Sequence, residues 1–380
     1  MSSVLTFNVG SSSLKIAYYQ QQQFLFSLTI DIKQQRANWT GQIPTSLVNW
    51  QPMGVLSDDA CYVAQALYQQ YQVLPLVAHR VVHGGHYHQP IMINAETLAQ
   101  LQQLAPLCPL HQPPTLAVIE ALAARFPQLI QIAAFDTSFH SQQPALSYCY
   151  PLPLTLRNKD IRAYGFHGLS CQSIMRQLLV LDNSINTGKL LIAHLGNGAS
   201  ITAVLDGISQ ANSMGFSTLD GVPMGTRCGH LDAGILLYLL EQGWTTPALN
   251  QLLYKESGLL GLSGISSDMR ELIEDASPQA QFSVDYFCRR VAQEISSLAT
   301  AIGGIETLVF TGGIGEHQEI VREKIASYLT WLGLELDTRA NLQNKQRISL
   351  PNSNIITWVL NSNEQHELYL SAQLFNQPSP

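Results

Sequence analysis

Several short stretches of this chain combine residue types suited to holding anions. Residues 8–15 read NVGSSSLK, which gathers Asn8, three hydroxyls including Ser11 and Ser13, and Lys15 around a glycine turn. Hydroxyls, backbone N–H groups and a lysine are the usual ligands of phosphate oxygens. A polar β-turn with an exposed lysine is the plainer alternative. Arg80 stands inside the apolar stretch of HRVVHGG, residues 79–85. Arginine is rarely buried unless it is paired or binds an anion, so a structural salt bridge and an anion site are both open. In FDTSFH, Asp136 follows an apolar run, at the strand end where α/β sheets bind ligands. A helix N-cap is the other reading.

Three more stretches are glycine-rich. YGFHG, residues 164–168, places His167 beside glycine, and MGTRCG, residues 224–229, places Arg227 between glycines. A glycine-flanked arginine can reach a phosphate closely and bidentately, or simply be a solvated loop residue. TGGIGE, residues 311–316, follows a short apolar strand but lacks the GK[ST] ending of a Walker A loop. His111 and His194 read equally well as core or as site histidines. No histidine pair has zinc-ligand spacing, so no zinc is expected.

The elements that must position these residues follow from periodicity. Alternating apolar residues predict strands over 4–9 and 14–18, with a turn at 10–13 and a hairpin tip at 20–23. Further strands are expected at 74–82, 129–135, 190–194, 201–205 and 307–310. Helices are expected at 96–104, from Pro113 to about Phe126, at 283–302 and at 319–332. The proline-rich stretch 144–153 resembles a linker. FNVGSSSLKIAYY and AHLGNGASITAVL share one design, strand, glycine turn and returning strand, about half the chain apart. A repeat at that distance implies two similar domains, each offering a backbone-rich turn to an anion.

The composition narrows the class. The chain has 380 residues, 46% apolar, which is enough for about two domains with real cores. Its net charge of −7 argues against a nucleic-acid protein acting through a basic field. No apolar run is long enough to span a membrane, and MSSVLTFNVGSSS does not read as a secretory signal. The six cysteines are scattered without a CxxC pair, as in a reduced, cytoplasmic protein.

Taken in order, NVGSSSLK, HRVVHGG, APLCPLHQPP, FDTSFH, YGFHG, HLGNGAS, SMGF, MGTRCG, SGISSDMR and TGGIGE resemble the acetate kinase family, from residue 4 to about 366. The resemblance implies an α/β fold of two duplicated ribonuclease-H-like domains flanking an active-site cleft, as in the superfamily of actin, chaperone ATPases and sugar kinases. The expected boundaries are 1–140 with 366–380, and 141–365. The implied activity is reversible transfer of the γ-phosphoryl group of ATP to acetate, giving acetyl phosphate and ADP. The implied cofactor is Mg²⁺, for which Mn²⁺ can substitute, held by Asn8 and Glu364. The resemblance makes Arg80, Asp136, His167 and Arg227 catalytic, with His167 and Arg227 stabilising the transition state. Arg80, Val82, Leu110, Phe166 and Thr218 would bind the substrate, and His111 would line the site. Ser11, Ser13, Lys15, His194, Gly196, Asn197, Gly198, Asp268, Met269, Arg270, Gly312, Gly313, Ile314 and Gly315 would bind ATP. The family is usually homodimeric through its second domain. Propionate kinase is the neighbouring alternative, and a non-enzymatic actin-like nucleotide switch the alternative of another class.

The chain also departs from the pattern. Thr218 stands where proline is usual, placing a hydroxyl in the wall that receives the substrate methyl group. His86, Leu169, Cys171, His230 and His317 replace other usual residues. Several of these changes add or remove a histidine, so an altered pH response is expected.

Overall fold

The computed structural model describes residues 3–10, 13–31, 34–157, 159–181 and 188–376. Its two β-sheets lie in two compact units. One unit is Met1–Phe139, Gly168–Ser173 and Asn363–Pro380; the other is His140–His167 and Ile174–Ser362. This division differs from the expected boundaries, because residues 168–173 group with the first unit. The reason is local. Gly168 donates its N–H to the Asp136 carbonyl at 2.9 Å, and Leu169 packs in the core with Val4, Ala78 and Ile132.

The first sheet holds β1 (Ser3–Val9), β2 (Ser13–Gln20), β3 (Gln23–Asp31), β4 (Arg36–Gly41), β5 (Leu76–Val81), β6 (Ile91–Met92) and β7 (Gln131–Phe135), in the order β4-β3-β2-β1-β5-β7-β6. β1, β5 and β7 run parallel, and every residue of β1 and β7 is buried. Apolar runs such as VLTFNV and QIAAF suit strands covered on both faces. One face packs Phe7, Leu14 and Ile16 with Val63 and Leu67 of helix Leu56–Tyr71 and Val118 and Leu122 of helix Gln112–Arg125. The other packs Val4, Ala78 and Ala134 against Leu368, Tyr369 and Ala372 of the helix Glu364–Gln373.

The second sheet holds β8 (Lys189–Leu195), β9 (Ala199–Leu205), β10 (Ile208–Asn212), β11 (Thr307–Thr311) and β12 (Ile356–Val359), in the order β10-β9-β8-β11-β12. Both sheets are therefore built alike. Each has an antiparallel meander, of four strands in the first sheet and three in the second, whose first strand pairs in parallel with a later one, and then a further parallel strand. The repeat expected around Gly10 and Gly196 is this shared topology. Helix Pro278–Ala301 buries Val284, Phe287, Val291 and Ile295 in the second unit, by the three-to-four spacing that gives a helix one apolar stripe.

Two expectations need correcting. The stretch 144–153 is not a linker: it lies within the second unit and forms the short helix Ala145–Tyr148. The TGGIGE loop is mostly helical, Gly312–His317. Its glycines leave the backbone free to turn directly from β11, with Gly312 at a φ of 76°.

Candidate functional site

In the first unit, register assembles a polar cluster. β1 and β5 pair Phe7 with His79, and β5 and β7 pair Val81 with Phe135. Asn8, Arg80 and Asp136 consequently stand at the carboxyl ends of three adjacent parallel strands, where ligands bind in sheets of this kind. Arg80 donates from Nε to both Asp136 oxygens at 3.0 and 3.1 Å and from Nη2 to Oδ2 at 2.5 Å. Its Nη1 donates to Asn8 Oδ1 at 3.1 Å and lies 3.8 Å from Glu364 Oε2. Asn8 Nδ2 donates to the same Glu364 oxygen at 2.5 Å. The salt bridge anticipated as the structural reading of Arg80 is present, yet the side chain keeps 14% exposure. It is both anchored and reachable.

Asp136 is fully buried, and burial pushes its carboxyl up while Arg80 opposes that shift. Burial works against the Arg80 charge, but Asp136 and Glu364 hold its guanidinium above the ordinary value. Glu364 opens its helix, with Asn363 as N-cap. Around the cluster, Gly84 N–H donates to Thr137 Oγ1, and a Cβ on Gly84 would lie 2.5 Å from the Phe135 ring. Glycine at 84 is thus required by close packing of this loop.

Asn8, Glu364 and Asp136 offer hard oxygen donors. Among the described residues no group of three or more His, Cys, Asp or Glu side chains could hold a metal alone. Mg²⁺ suits such a sparse set, because it keeps several waters and takes one or two carboxylates plus substrate phosphate oxygens. The donors fit Mg²⁺ and would not fit zinc.

In the second unit, His167 lies at a φ of 59°, an uncommon backbone state for a non-glycine residue and one that concentrates at functional sites. Its Nδ1 is 2.9 Å from Ser200 Oγ, and its ring stacks on His194 with centroids 4.2 Å apart. His194 and Ser200 are paired across β8 and β9. Arg227, only 5% exposed, donates Nη1 to the Thr218 carbonyl at 2.7 Å. A Cβ at Gly198 would come within 2.6 Å of Arg227 Nη2 and 3.2 Å of His167 Nε2. The β8–β9 turn, Arg227 and His167 therefore converge on one spot. The Arg227 loop is held by Met224 and Arg227 backbone bonds and by Gly258, whose φ of 63° lets its backbone lie against both residues.

The same unit carries the glycine turn. Gly312 packs on the Leu195 carbonyl, while a Cβ at Gly313 would meet nothing within 4 Å. Internal packing explains the first glycine and not the second, which leaves an open backbone surface near Gly196. His140, from FDTSFH, is buried between Ser209 Oγ and the Phe166 carbonyl, and burial lowers its pKa to about 4. It is a neutral brace on the carbonyl of Phe166, the residue that precedes His167.

The other expected residues fall as follows. Val82 is buried and Leu110 half-buried in the first unit; Phe166 and Thr218 are buried in the second. The Thr218 hydroxyl is buried without a hydrogen-bond partner among the described residues. His111 begins the helix Gln112–Arg125. Ser13 begins β2, and Lys15, exposed, pairs with Asn8. Ser11 lies outside the described residues. Asp268 caps helix Met269–Glu274, and the exposed Arg270 closes on it at 2.5 Å, lowering the Asp268 carboxyl. Asn197 is exposed; its carbonyl accepts from Gly225 N–H. Ser200 closes the turn expected at 196–200, but local spacing does not disclose its contact with His167. Only the strand pairing that sets it opposite His194 reveals it.

The sequence matches the Acetokinase family over residues 3–369. It is 42% identical to the acetate kinase of Rhodopseudomonas palustris strain TIE-1, with 95% of each chain covered. It is 45% identical to that of Methylocella silvestris over 76% of this chain and 72% of the other. The fold superposes on a propionate kinase from Francisella tularensis with a TM-score of 0.88 at 32% identity, covering 98% and 100% of the two chains. For the Porphyromonas gingivalis acetate kinase the TM-score is 0.85 at 29% identity, covering 99% and 100%. The family match and these relatives define a phosphotransferase with a carboxyl group as acceptor. The chain belongs to the acetokinase family.

Proposed function

We propose that the chain transfers the γ-phosphoryl group of ATP directly and reversibly to acetate. The observation that carries this reading is the pair of arginines, Arg80 and Arg227, each fixed by hydrogen bonds on a backbone built to hold it. Acetate is already an anion at neutral pH, so no general base is needed. A carboxylate oxygen attacks the γ-phosphorus, the bond to the ADP oxygen breaks, and no proton moves. The barrier is the approach of two negative groups, and catalysis is positioning plus charge neutralisation.

In this reading Arg80 holds the acceptor carboxylate, with Asp136 fixing the arginine. Arg227 and the His167 ring bind the phosphoryl group. Val82, Leu110, Phe166 and Thr218 receive the methyl group, and His111 lines the site. Ser13, Lys15, His194, the 196–198 turn, Asp268–Arg270 and the 312–315 turn hold the nucleotide. Asn8 and Glu364 would hold Mg²⁺, which when bound offsets phosphate charge. The reaction belongs in the cytoplasm, in keeping with six cysteines that form no disulfide.

Propionate is the second candidate acceptor, because the Thr218 hydroxyl, without a partner among the described residues, would be unusual in a wall that receives a methyl group. One methylene in such a pocket changes discrimination by only ~1–3 kcal/mol. Hydroxamate trapping with Mg·ATP and acetate, propionate or butyrate tests the proposal. We expect acetate to give the fastest product. A propionate preference would reassign the acceptor, and ATP binding without any acyl phosphate would leave a nucleotide switch.

A homodimer fits the helix Ala233–Glu241, AGILLYLLE, none of whose residues is buried and whose Leu237 and Tyr238 are 64% and 59% exposed. A helix apolar all round is normally covered. Sedimentation of the wild type against Leu237→Glu checks this: a dimer and a monomer, respectively, are expected.

A further inference from the structure

Arg322 is the largest fully buried side chain, and among the described residues no carboxylate lies within ion-pair distance of it. Isolated buried charge is costly, so its partners must be unusual. They are carbonyls and amides. Nη1 donates to the Gly315 and Glu316 carbonyls at 2.9 and 3.1 Å. Nε donates to Asn341 Oδ1 at 2.8 Å, and Nη2 to the Asn341 carbonyl and to Asn344 Oδ1 at 3.1 and 2.5 Å. The Gly315 and Glu316 carbonyls belong to the end of the short glycine helix, where carbonyls lose their helical partners and carry partial negative charge.

The other end of that helix is held by Glu316. Its Oε1 accepts from Gly312 N–H at 3.0 Å and from Thr311 Oγ1 at 3.2 Å. The same oxygen accepts from Ser362 N–H at 3.3 Å, two residues before Glu364 in the chain. Both ends of a turn made of Gly312, Gly313 and Gly315 are thus tied down by side chains. Glycine-rich backbone has the most freedom to lose on ordering, so external ties matter most here. The open surface at Gly313 lies between them.

We infer that Glu316 and Arg322 are positioning residues that hold the glycine turn in its nucleotide-binding shape, and so set nucleotide affinity without touching the nucleotide. This rests on the reading that residues 312–315 bind ATP. A purely structural staple would lower stability and leave the affinity of the folded protein intact. A positioning pair changes affinity in protein that remains folded.

The test is calorimetric titration of Mg·ADP into the wild type, Glu316→Ala, Glu316→Gln, Arg322→Met and Arg322→Lys, with the acetate KM alongside. We expect Glu316→Ala and Arg322→Met to weaken ADP about 10-fold or more, by analogy with the ~10²-fold cost of misplacing a reacting group by an ångström. The acetate KM should change less than about two-fold, since among the described residues neither Glu316 nor Arg322 bonds to Arg80, Val82 or Leu110. Glu316→Gln keeps an acceptor oxygen and should recover most of the affinity. Should Arg322→Met fail to fold, the Glu316 pair and Arg322→Lys decide. Unchanged ADP affinity in folded Glu316→Ala would overturn the inference, as would equal weakening by Ala and Gln. Absence of ADP binding by the wild type would overturn it together with the nucleotide reading. ADP binding without acyl phosphate formation would overturn the acetate reading only, and the variants would still decide the clamp.

Discussion

At the residue scale, Arg80 and Arg227 carry the proposed chemistry, and their substitutions have separate readouts in stability and in turnover. Arg80 answers a buried carboxylate, so Arg80→Ala strands Asp136 and should cost about 3–5 kcal/mol of stability as well as activity. Arg227 Nη1 donates to the Thr218 carbonyl, and Arg227→Ala takes that donor from a buried acceptor, a loss of about 1–3 kcal/mol. Both should lower kcat/KM by at least ~10²-fold, since an arginine on a transferring phosphoryl group is typically worth ~10³–10⁵. Urea denaturation and steady-state kinetics on both variants check the contrast. Near-normal turnover in either would remove its proposed role. NVGSSSLK, HRVVHGG and MGTRCG disclosed these residue types from local spacing. Their partners could not be disclosed that way, because Glu364 lies 356 positions from Asn8.

At the element scale, the β8–β9 turn acts through what it lacks. His194 and Ser200 are paired across the strands, and Gly198 leaves room for the ends of Arg227 and His167. Gly198→Ala should drive its methyl group toward Arg227 Nη2. We expect kcat to fall at least ~10-fold, because small displacements of positioning groups are costly, with a nearly unchanged melting temperature. Wild-type turnover in Gly198→Ala would mean that Arg227 does not work at this turn. The strand–turn–strand design was readable from alternation and glycine. The helical form of TGGIGE was not, because three glycines in six residues disfavour helix locally. The Arg322 and Glu316 ties override that preference.

At the scale of the whole molecule, three buried histidines link stability to pH. Burial holds His79, His83 and His140 near a pKa of about 4. In the unfolded chain they titrate near ~6.5, so unfolding takes up protons between those values. Their contribution is complete above about pH 6.5 and is lost as pH falls toward 4, by roughly 2 kcal/mol each at pH 5. Asp59 and Asp136, raised by burial, act in the opposite sense. Denaturant unfolding at pH 7 and pH 5 should show a net loss at pH 5. Equal stability at both would mean that these histidines are hydrated in the native state.

The sequence alone determined the residue types, the strand and turn pattern, the repeated half and the family, because each is written in local spacing or in ordered motifs. Only tertiary structure decided that Arg80 answers Asp136, that His167 stacks on His194, that Arg322 is buried rather than solvated, and that residues 168–173 join the first unit. Within VREK on a helix, Arg322 looks like any surface charge. Whether it meets water or protein oxygens depends on chain folded back at Asn341 and Asn344, and no local pattern carries that information. Register and burial arise from pairing distant segments, and those energies exist only once the segments have met.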